Sequence, residues 1–388
     1  MLAPKLRFKE FKNNYSNYKL KNIVDFYKGN TLAKSDITSD GNIPCILYGE
    51  LYTKYSEITK QIFSYTNNKS KNLFYSKVND VLIPCSGETA LDISTSTCVL
   101  LDDVALGGDL NVLRPKNIDG RYLSYLLSNK KRITIAKYAQ GDSIVHLYAD
   151  KIKNISIILP CLDEQKKVSL LLELLNKKIE LQQRKIEVLK MYKKGLFQKI
   201  LNCEGENRKI SEILEEVVEK STENNQYDVI SSTKDGLILQ KEYFNRNIAS
   251  ENNIGYKILR NNQIVLSPQN LWMGNINYND KYCIGIVSPS YKIFDIKEGY
   301  SKEYIASLIK TNRALYMYKI SSEQGASIVR RNLNMDAFYE ITFKIPNLKE
   351  QNKYSEIIKN LNRKIDNMSG TLNMLLKIKK GLLQQMFI

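Results

Sequence analysis

Residues 160–201 open with Pro160-Cys-Leu-Asp-Glu-Gln165-Lys-Lys, pass through Leu175-Asn-Lys-Lys-Ile179 and close on Lys193-Lys-Gly-Leu-Phe-Gln198-Lys199. The same text recurs at 346–387, as Pro346-Asn-Leu-Lys-Glu-Gln351-Asn-Lys, Leu361-Asn-Arg-Lys-Ile365 and Lys379-Lys-Gly-Leu-Leu-Gln384. The offset is 186 without a gap, and 16 of 42 positions are identical, far above chance for one chain against itself.

Within the first copy, apolar residues fall at Val168, Leu172, Leu175, Ile179, Ile186, Leu189, Leu196 and Ile200. Steps of four and three alternate, the a/d rhythm of a coiled coil. Two seam positions are polar, Gln182 and Lys193. The second copy keeps the register with Tyr354, Ile358, Leu361, Ile365, Met368, Leu372, Leu375, Leu382 and Met386, and Lys379 matches Lys193. Asp163 is expected to cap the first helix, and Glu164 suits the positive end of its dipole. A helix of about 40 residues is roughly 60 Å long. Neither copy shows a second apolar face, so each needs a partner. The other copy, antiparallel across the intervening domain, is one; a second chain is the other. The polar seam positions either set register or mark where another protein docks.

Weaker echoes lie upstream. Gln140-Gly-Asp-Ser-Ile-Val145 recurs as Gln324-Gly-Ala-Ser-Ile-Val329, Asp80-Val-Leu-Ile-Pro84 loosely as Ile264-Val-Leu-Ser-Pro268, and Tyr18-Lys-Leu-Lys-Asn-Ile23 as Arg208-Lys-Ile-Ser-Glu-Ile213. The expected organisation is a globular domain at 1–159, a helix at 160–203, a second domain at 204–345 and a C-terminal helix at 346–388. Short β-rich runs punctuated by Gly, Asn, Asp and Pro fill both domains. They include Ile43–Tyr48, Asp80–Pro84, Thr97–Leu101 and Ile155–Leu159, then Gln263–Ser267, Ile284–Ser288, Tyr291–Asp295 and Glu340–Ile345. One helical stretch is expected in each, at Gly120–Lys137 and Ser301–Ile320. The fold class is α+β: two similar globular domains separated by two long helices that form an intramolecular antiparallel coiled coil.

The chain has 388 residues, 58 Lys and Arg against 41 Asp and Glu, and a net charge of +17. Such an excess favours a polyanionic partner, nucleic acid or an anionic membrane surface; an AT-rich genome that encodes Lys and Asn freely is the plainer cause. The charge is uneven: net +7 over 1–159, +5 over 160–203, zero over 204–345 and +5 over 346–388. No apolar run is long enough to span a bilayer, and Met1–Glu10 lacks the apolar core of a secretory signal. The six cysteines are scattered and there is one histidine, so a structural zinc is not expected and a reducing cytoplasm is.

Tyr and Asn beside Arg and Lys suit phosphates and base edges. The candidate contacts are Tyr48 and Lys54; Ser86, Glu88 and Thr89; Gln140, Ser143 and His146; Gln269, Asn270, Trp272 and Asn275; and Gln324, Ser327, Arg330 and Arg331. Each loop is also readable as an ordinary turn that satisfies its own backbone, Trp272 as a half-buried packing residue and His146 as a structural histidine. No Gly-x-x-x-x-Gly-Lys-Ser/Thr loop and no Asn/Asp-Pro-Pro-Phe/Tyr tetrapeptide occurs, and nothing pairs with His146 by motif. The chain reads as a binder, not a catalyst.

Leu159-Pro-Cys-Leu-Asp-Glu-Gln165, its looser copy Ile345–Gln351, and the pair Lys193–Gln198 and Lys379–Gln384 resemble the specificity subunit of type I restriction–modification systems. Pro4–Phe11, Ile83–Thr89 and Gly107-Gly-Asp-Leu-Asn111 add to the likeness, which covers essentially the whole chain. The resemblance implies two target recognition domains, each reading half of a split double-stranded DNA site, held apart by the helices. It implies no cofactor on this chain, with S-adenosylmethionine bound by partner methyltransferase subunits, usually two, and a translocase–nuclease restriction subunit that joins them. The readings outside that family are a non-catalytic coiled-coil adaptor and an RNA-binding scaffold.

Overall fold

Pro160 and Pro346 each end a strand, and each long helix starts two residues later. Proline cannot extend a sheet ladder but suits the entry to a helix. In a computed structural model the described residues are 3–142, 144–201, 204–243, 252–324 and 331–388. The helices used below are α1 (Gly120–Tyr125), α2 (Leu162–Leu201), α3 (Lys302–Leu308), α4 (Asn312–Ile320) and α5 (Leu348–Gln385). The chain divides into two units: Met1–Gln183 with Gly370–Ile388, and Arg184–Ser369.

In the first unit a five-stranded sheet runs in the order Val24–Lys28, Leu110–Pro115, Val81–Pro84, Thr97–Val99, Ile58–Thr59. A four-stranded sheet runs Ser64–Thr66, Ile43–Ile46, Ala105–Leu106, Phe74–Tyr75. Ser16–Lys19 pairs antiparallel with Ser156–Leu159, joining the start of the domain to its end. The helical stretch is α1, a π-helical turn at Leu126–Lys130 and a short helix at Arg132–Ala136. Tyr122, Leu123 and Leu126 are fully buried there, beside Val168 and Leu172 of α2. Phe387 enters the same core, its ring 4.8 Å from that of Tyr122, and Leu6 N–H donates to the Gln385 carbonyl at 3.0 Å.

Among the described residues, the second unit repeats the plan with smaller sheets. Glu206–Lys209 pairs antiparallel with Thr342–Ile345, and a four-stranded sheet runs Leu214–Val217, Lys292–Ile296, Ile264–Leu266, Ile276–Tyr278. Helices α3 and α4 bury Tyr304, Ile305 and Tyr318 against Phe294 and Phe338.

The repeated glutamine explains much of the repeated motif. Gln165 Oε1 accepts from Asp119 N–H at 3.1 Å while its Nε2 donates to the Pro160 carbonyl at 2.9 Å. Gln351 does the same, accepting from Ser301 N–H at 2.9 Å and donating to the Pro346 carbonyl at 2.8 Å. Asp119 and Ser301 are the residues just before α1 and α3, so each long helix grips the first turn of the helix in its own unit. Both glutamines are buried, and each has its amide oxygen and its amide nitrogen hydrogen-bonded, so neither end is left without a partner at the cost a buried polar group then carries.

One expectation needs correction. Asp163 lies inside the first turn of α2, which begins at Leu162, so it is not the cap. Glu164 does more than meet the dipole: it is 1% exposed, and its carboxylate accepts from Arg7 Nε at 2.9 Å, Arg7 Nη2 at 2.8 Å and the Tyr15 hydroxyl at 2.9 Å. The carboxylate raises the pKa of the Arg7 guanidinium, and burial, then the same carboxylate, raises that of the Tyr15 phenol. The matching Glu350 is exposed.

Along both long helices the seam positions are the inward ones. Leu172, Ile179, Ile186, Ile358, Ile365 and Leu375 are buried, and Leu175, Leu189, Leu196, Leu361, Leu372 and Leu382 are half-buried. Within the first unit Val168 and Leu172 share a core with Leu382 and Met386. Within the second, Leu196 and Phe197 share one with Tyr354 and Ile358, and Lys193 Nζ donates to Asn362 Oδ1 at 2.6 Å.

Candidate nucleic-acid interface

In the first unit, the loop after the central strand Val81–Pro84 meets the turn at 140–148. Ser86 pairs with His146 and Gly87 with Val145 in a two-residue antiparallel ladder. Gln140 and His146 close it, with N–H to carbonyl bonds of 3.0 and 2.7 Å in the two directions. Ser86 Oγ lies 3.1 Å from His146 Nδ1. Gly87 is required by space: a Cβ there would sit 2.5 Å from Ile93 Cγ2.

Around this ladder stand groups that suit DNA. The rings of His146 and Tyr148 stack at 6.1 Å, and Tyr148 is 55% exposed. Glu88 and Thr89 are exposed, and Thr89 Oγ1 donates to Asp92 Oδ2 at 2.6 Å. The Tyr52 ring reaches within 3.6 Å of the Cβ position of Gly87; burial, then Tyr48, Glu88 and Asp92, raise its phenol pKa, which places those four in one neighbourhood. A carboxylate at such a surface can accept from a cytosine amino group, and an aromatic face can pack on a base or sugar. Lys54 is differently placed: its ammonium is 2.7 Å from Glu50, a buried carboxylate that also accepts from Leu47 N–H at 3.0 Å.

In the second unit, the loop after the strand Ile264–Leu266 meets the hairpin that follows α4. Ser322–Gln324 pairs with Arg331–Leu333, with Gln324 opposite Arg331, and Arg331 N–H donates to the Gln269 carbonyl at 3.3 Å. Gln269 and Gln324 are exposed, and Asn270 and Trp272 half-buried. The Arg331 guanidinium folds back, Nε donating to Ser322 Oγ at 3.0 Å and Nη2 to the Ser322 carbonyl at 2.5 Å. Asn275 is buried and spent inside the unit: Oδ1 accepts from Ser232 Oγ at 2.6 Å, and Nδ2 donates to the Ser232 carbonyl at 2.9 Å. Its side chain fastens the loop rather than facing outward. Ser143, Ser327 and Arg330 lie outside the described residues.

Each unit thus gathers its candidates from two places: the loop after a central strand and a turn after the α1 or α4 region. The sequence reading did not place Asp92 or Tyr148 among the contacts. Thr89-x-x-Asp92 has the spacing of a reciprocal side-chain turn, and Tyr148 lies two residues past His146, the period that returns a side chain to one face of a strand. Among the described residues there is no group of metal-binding side chains, and no helix is long and apolar enough to cross a membrane.

Residues 12–191 match the family described as type I restriction modification DNA specificity domain. The fold is similar to that of the type I restriction–modification S subunit from M. genitalium, with TM-score 0.63, 15% identity, 100% of this chain and 99% of that one covered. It is also similar to a chain from a structure titled for complex assembly and conformational transition of the type I R-M system, with TM-score 0.56, 10% identity, and 97% and 98% covered. No curated protein matches at the sequence level. Residues 12–191 are thus similar to a DNA specificity domain. Over the whole chain the likeness to type I restriction–modification S subunits is one of fold.

Proposed function

We propose that this chain reads a two-part duplex DNA target, one part with each globular domain (1–159 and 204–345). Helices α2 and α5 act as an intramolecular antiparallel coiled coil that sets the spacing. In this reading the chain works in the cytoplasm, does no chemistry itself, and gathers methyltransferase subunits, two of them, and restriction subunits at the bound site. The observation that carries the reading is the duplicated loop cluster. Two loops meet at corresponding places in both units, built from different side chains: Ser86, Glu88, Gln140 and His146 in one, Gln269, Asn270 and Gln324 in the other. Two similar platforms with different lettering are what a split, asymmetric target needs.

The coiled coil is supported by the opposed order of contacts. The start of α2 shares a core with the end of α5 in one unit, and the end of α2 shares one with the start of α5 in the other. Phosphate contacts from surface Lys and Arg supply affinity and salt dependence, and base-edge contacts from the loops supply sequence.

Replacing residues 1–159 with the corresponding domain of another specificity subunit tests this reading. Methylation mapping of host DNA should show one half of the recognised site changed and the other retained. Change in both halves, or in neither, defeats the modular reading.

A further inference from the structure

Residues two apart in a ladder share a face, so Glu88 follows Ser86 and Ile144 precedes His146 on the two sides of the short ladder in the first unit. Gly87 is set against Val145, and the same register carried one residue further puts Ile144 opposite Glu88. Both side chains are exposed, Ile144 at 59%. A turn fixes the backbone next to each. Just past Glu88, Thr89 Oγ1 donates to Asp92 Oδ2 at 2.6 Å and accepts from Asp92 N–H at 3.2 Å. Just before Ile144, Gly141 has φ +118°, and a Cβ there would lie 2.2 Å from the Ile144 carbonyl oxygen.

The two acids of this loop are differently employed. Asp92 is spent on Thr89, whereas Glu88 has no hydrogen bond or ion pair among the described residues. A carboxylate on a face that meets DNA is repelled by the phosphates and is tolerable only where a base offers it an N–H. In the major groove guanine presents N7 and O6 and thymine presents O4, all acceptors that a carboxylate repels; cytosine presents its N4 amino group and adenine its N6. The neighbouring atom decides between the last two. Adenine carries the acceptor N7 beside N6, and Ile144 would cover it without offering a donor; an acceptor stripped of water and left unpaired costs affinity. Cytosine carries its C5–H edge beside N4, and an isoleucine side chain suits that edge.

We propose that Glu88 and Ile144 together read a cytosine in the half-site met by the first domain: the Glu88 carboxylate accepts from the N4 amino group, and Ile144 packs on the C5 edge. The inference rests on the reading that this loop cluster faces a duplex target, and it names one base of that target and the two side chains that select it. The two rejections have separate causes, charge for thymine and a missing donor for adenine, so the two side chains can be tested apart.

A methylation map of host DNA gives the site, and exchange of residues 1–159 shows which half the first domain reads. The full chain with its methyltransferase subunit is then titrated with labelled duplexes altered one base pair at a time in that half. At one cytosine, thymine or adenine should weaken binding by roughly tenfold or more, and 5-methylcytosine should bind as well as cytosine. Glu88→Gln should bring the thymine penalty at that position below about threefold, and Ile144→Asn, which offers N7 a donor, should do the same for adenine. Penalties in the other half should stay as they were in both variants, which also shows that they fold. Wild-type penalties kept throughout by both variants overturn the inference. So does a Glu88→Gln chain that binds every duplex more tightly by the same factor, the mark of a carboxylate that only repels phosphates. A site with no two-part form, or one whose halves ignore the exchanged domain, defeats the two-platform reading and the cytosine contact with it.

Discussion

Glu164 and Glu350 occupy the same place in the repeat and should respond very differently to the same change. In Glu164→Ala, the Arg7 guanidinium loses a two-pronged carboxylate contact of 2.9 and 2.8 Å, and the buried Tyr15 hydroxyl loses its acceptor at 2.9 Å. Removing one partner of a buried ion pair costs about 3–5 kcal/mol, mostly through the charge left behind. The Arg7 side chain is 14% exposed and regains some water, which brings the expected loss to roughly 2–3 kcal/mol. Glu350 is exposed, and Glu350→Ala should stay within about 0.5 kcal/mol. Amide hydrogen exchange separates the two units. The strand pair Ser16–Lys19 with Ser156–Leu159, next to Glu164, should lose protection by about 30- to 150-fold, since about 1.4 kcal/mol is tenfold. The equivalent pair Glu206–Lys209 with Thr342–Ile345 should not change. A loss under about threefold at the first pair, or an equal loss at both, would refute the claim that Glu164 anchors the start of the chain to α2.

Two further outcomes are expected. Deleting one heptad from each helix, Ile179–Lys185 and Ser369–Leu375, removes about 10 Å of helix and should shorten the tolerated DNA spacer by about three base pairs; an unchanged spacer in a methylation map counts against the spacing role. Lys310 has its folded pKa held down to about 8 by burial, below the ordinary lysine value of about 10.4. Between those values the unfolded chain binds more protons, so stability of the second unit should rise with pH through that window, and Lys310→Met should reduce the rise, the remainder coming from Lys193 and Lys257, which burial also lowers. Acylation of the Lys310 amine should also be near its full rate a little above pH 8, and a rate still climbing steeply at pH 10 contradicts the shift.

Much of the fold was legible because its main signal is periodic. The alternation from Val168 to Ile200 and from Tyr354 to Met386 depends on residues three and four apart, which a linear reading sees directly. The strands were legible for the same reason: Val81–Pro84, Ile264–Leu266 and Thr342–Ile345 fall inside apolar runs bounded by turn residues. What escaped was set by distant contacts. Asp163 looked like a cap because its type fits, but the strand end at Leu159 and Pro160 moved the helix start to Leu162. Glu164 looked like a dipole partner, and no local pattern brings Arg7 and Tyr15 to it. Asn275 reads like an exposed loop asparagine until Ser232, over forty residues away, takes both ends of its amide. Tyr148 and Asp92 join the candidate surface through the two-residue ladder of Ser86–Gly87 with Val145–His146, too short to announce itself in sequence.

The grip of Gln165 and Gln351 on their domains has a consequence for how such a chain evolves. On the domain side both glutamines hold a main-chain amide, Asp119 in one case and Ser301 in the other. A peptide N–H is the same on every residue but proline. To make this one bond, a newly acquired domain needs only to present a helix start at the right place. At this point of the joint, exchange of the reading parts meets no test of their spelling.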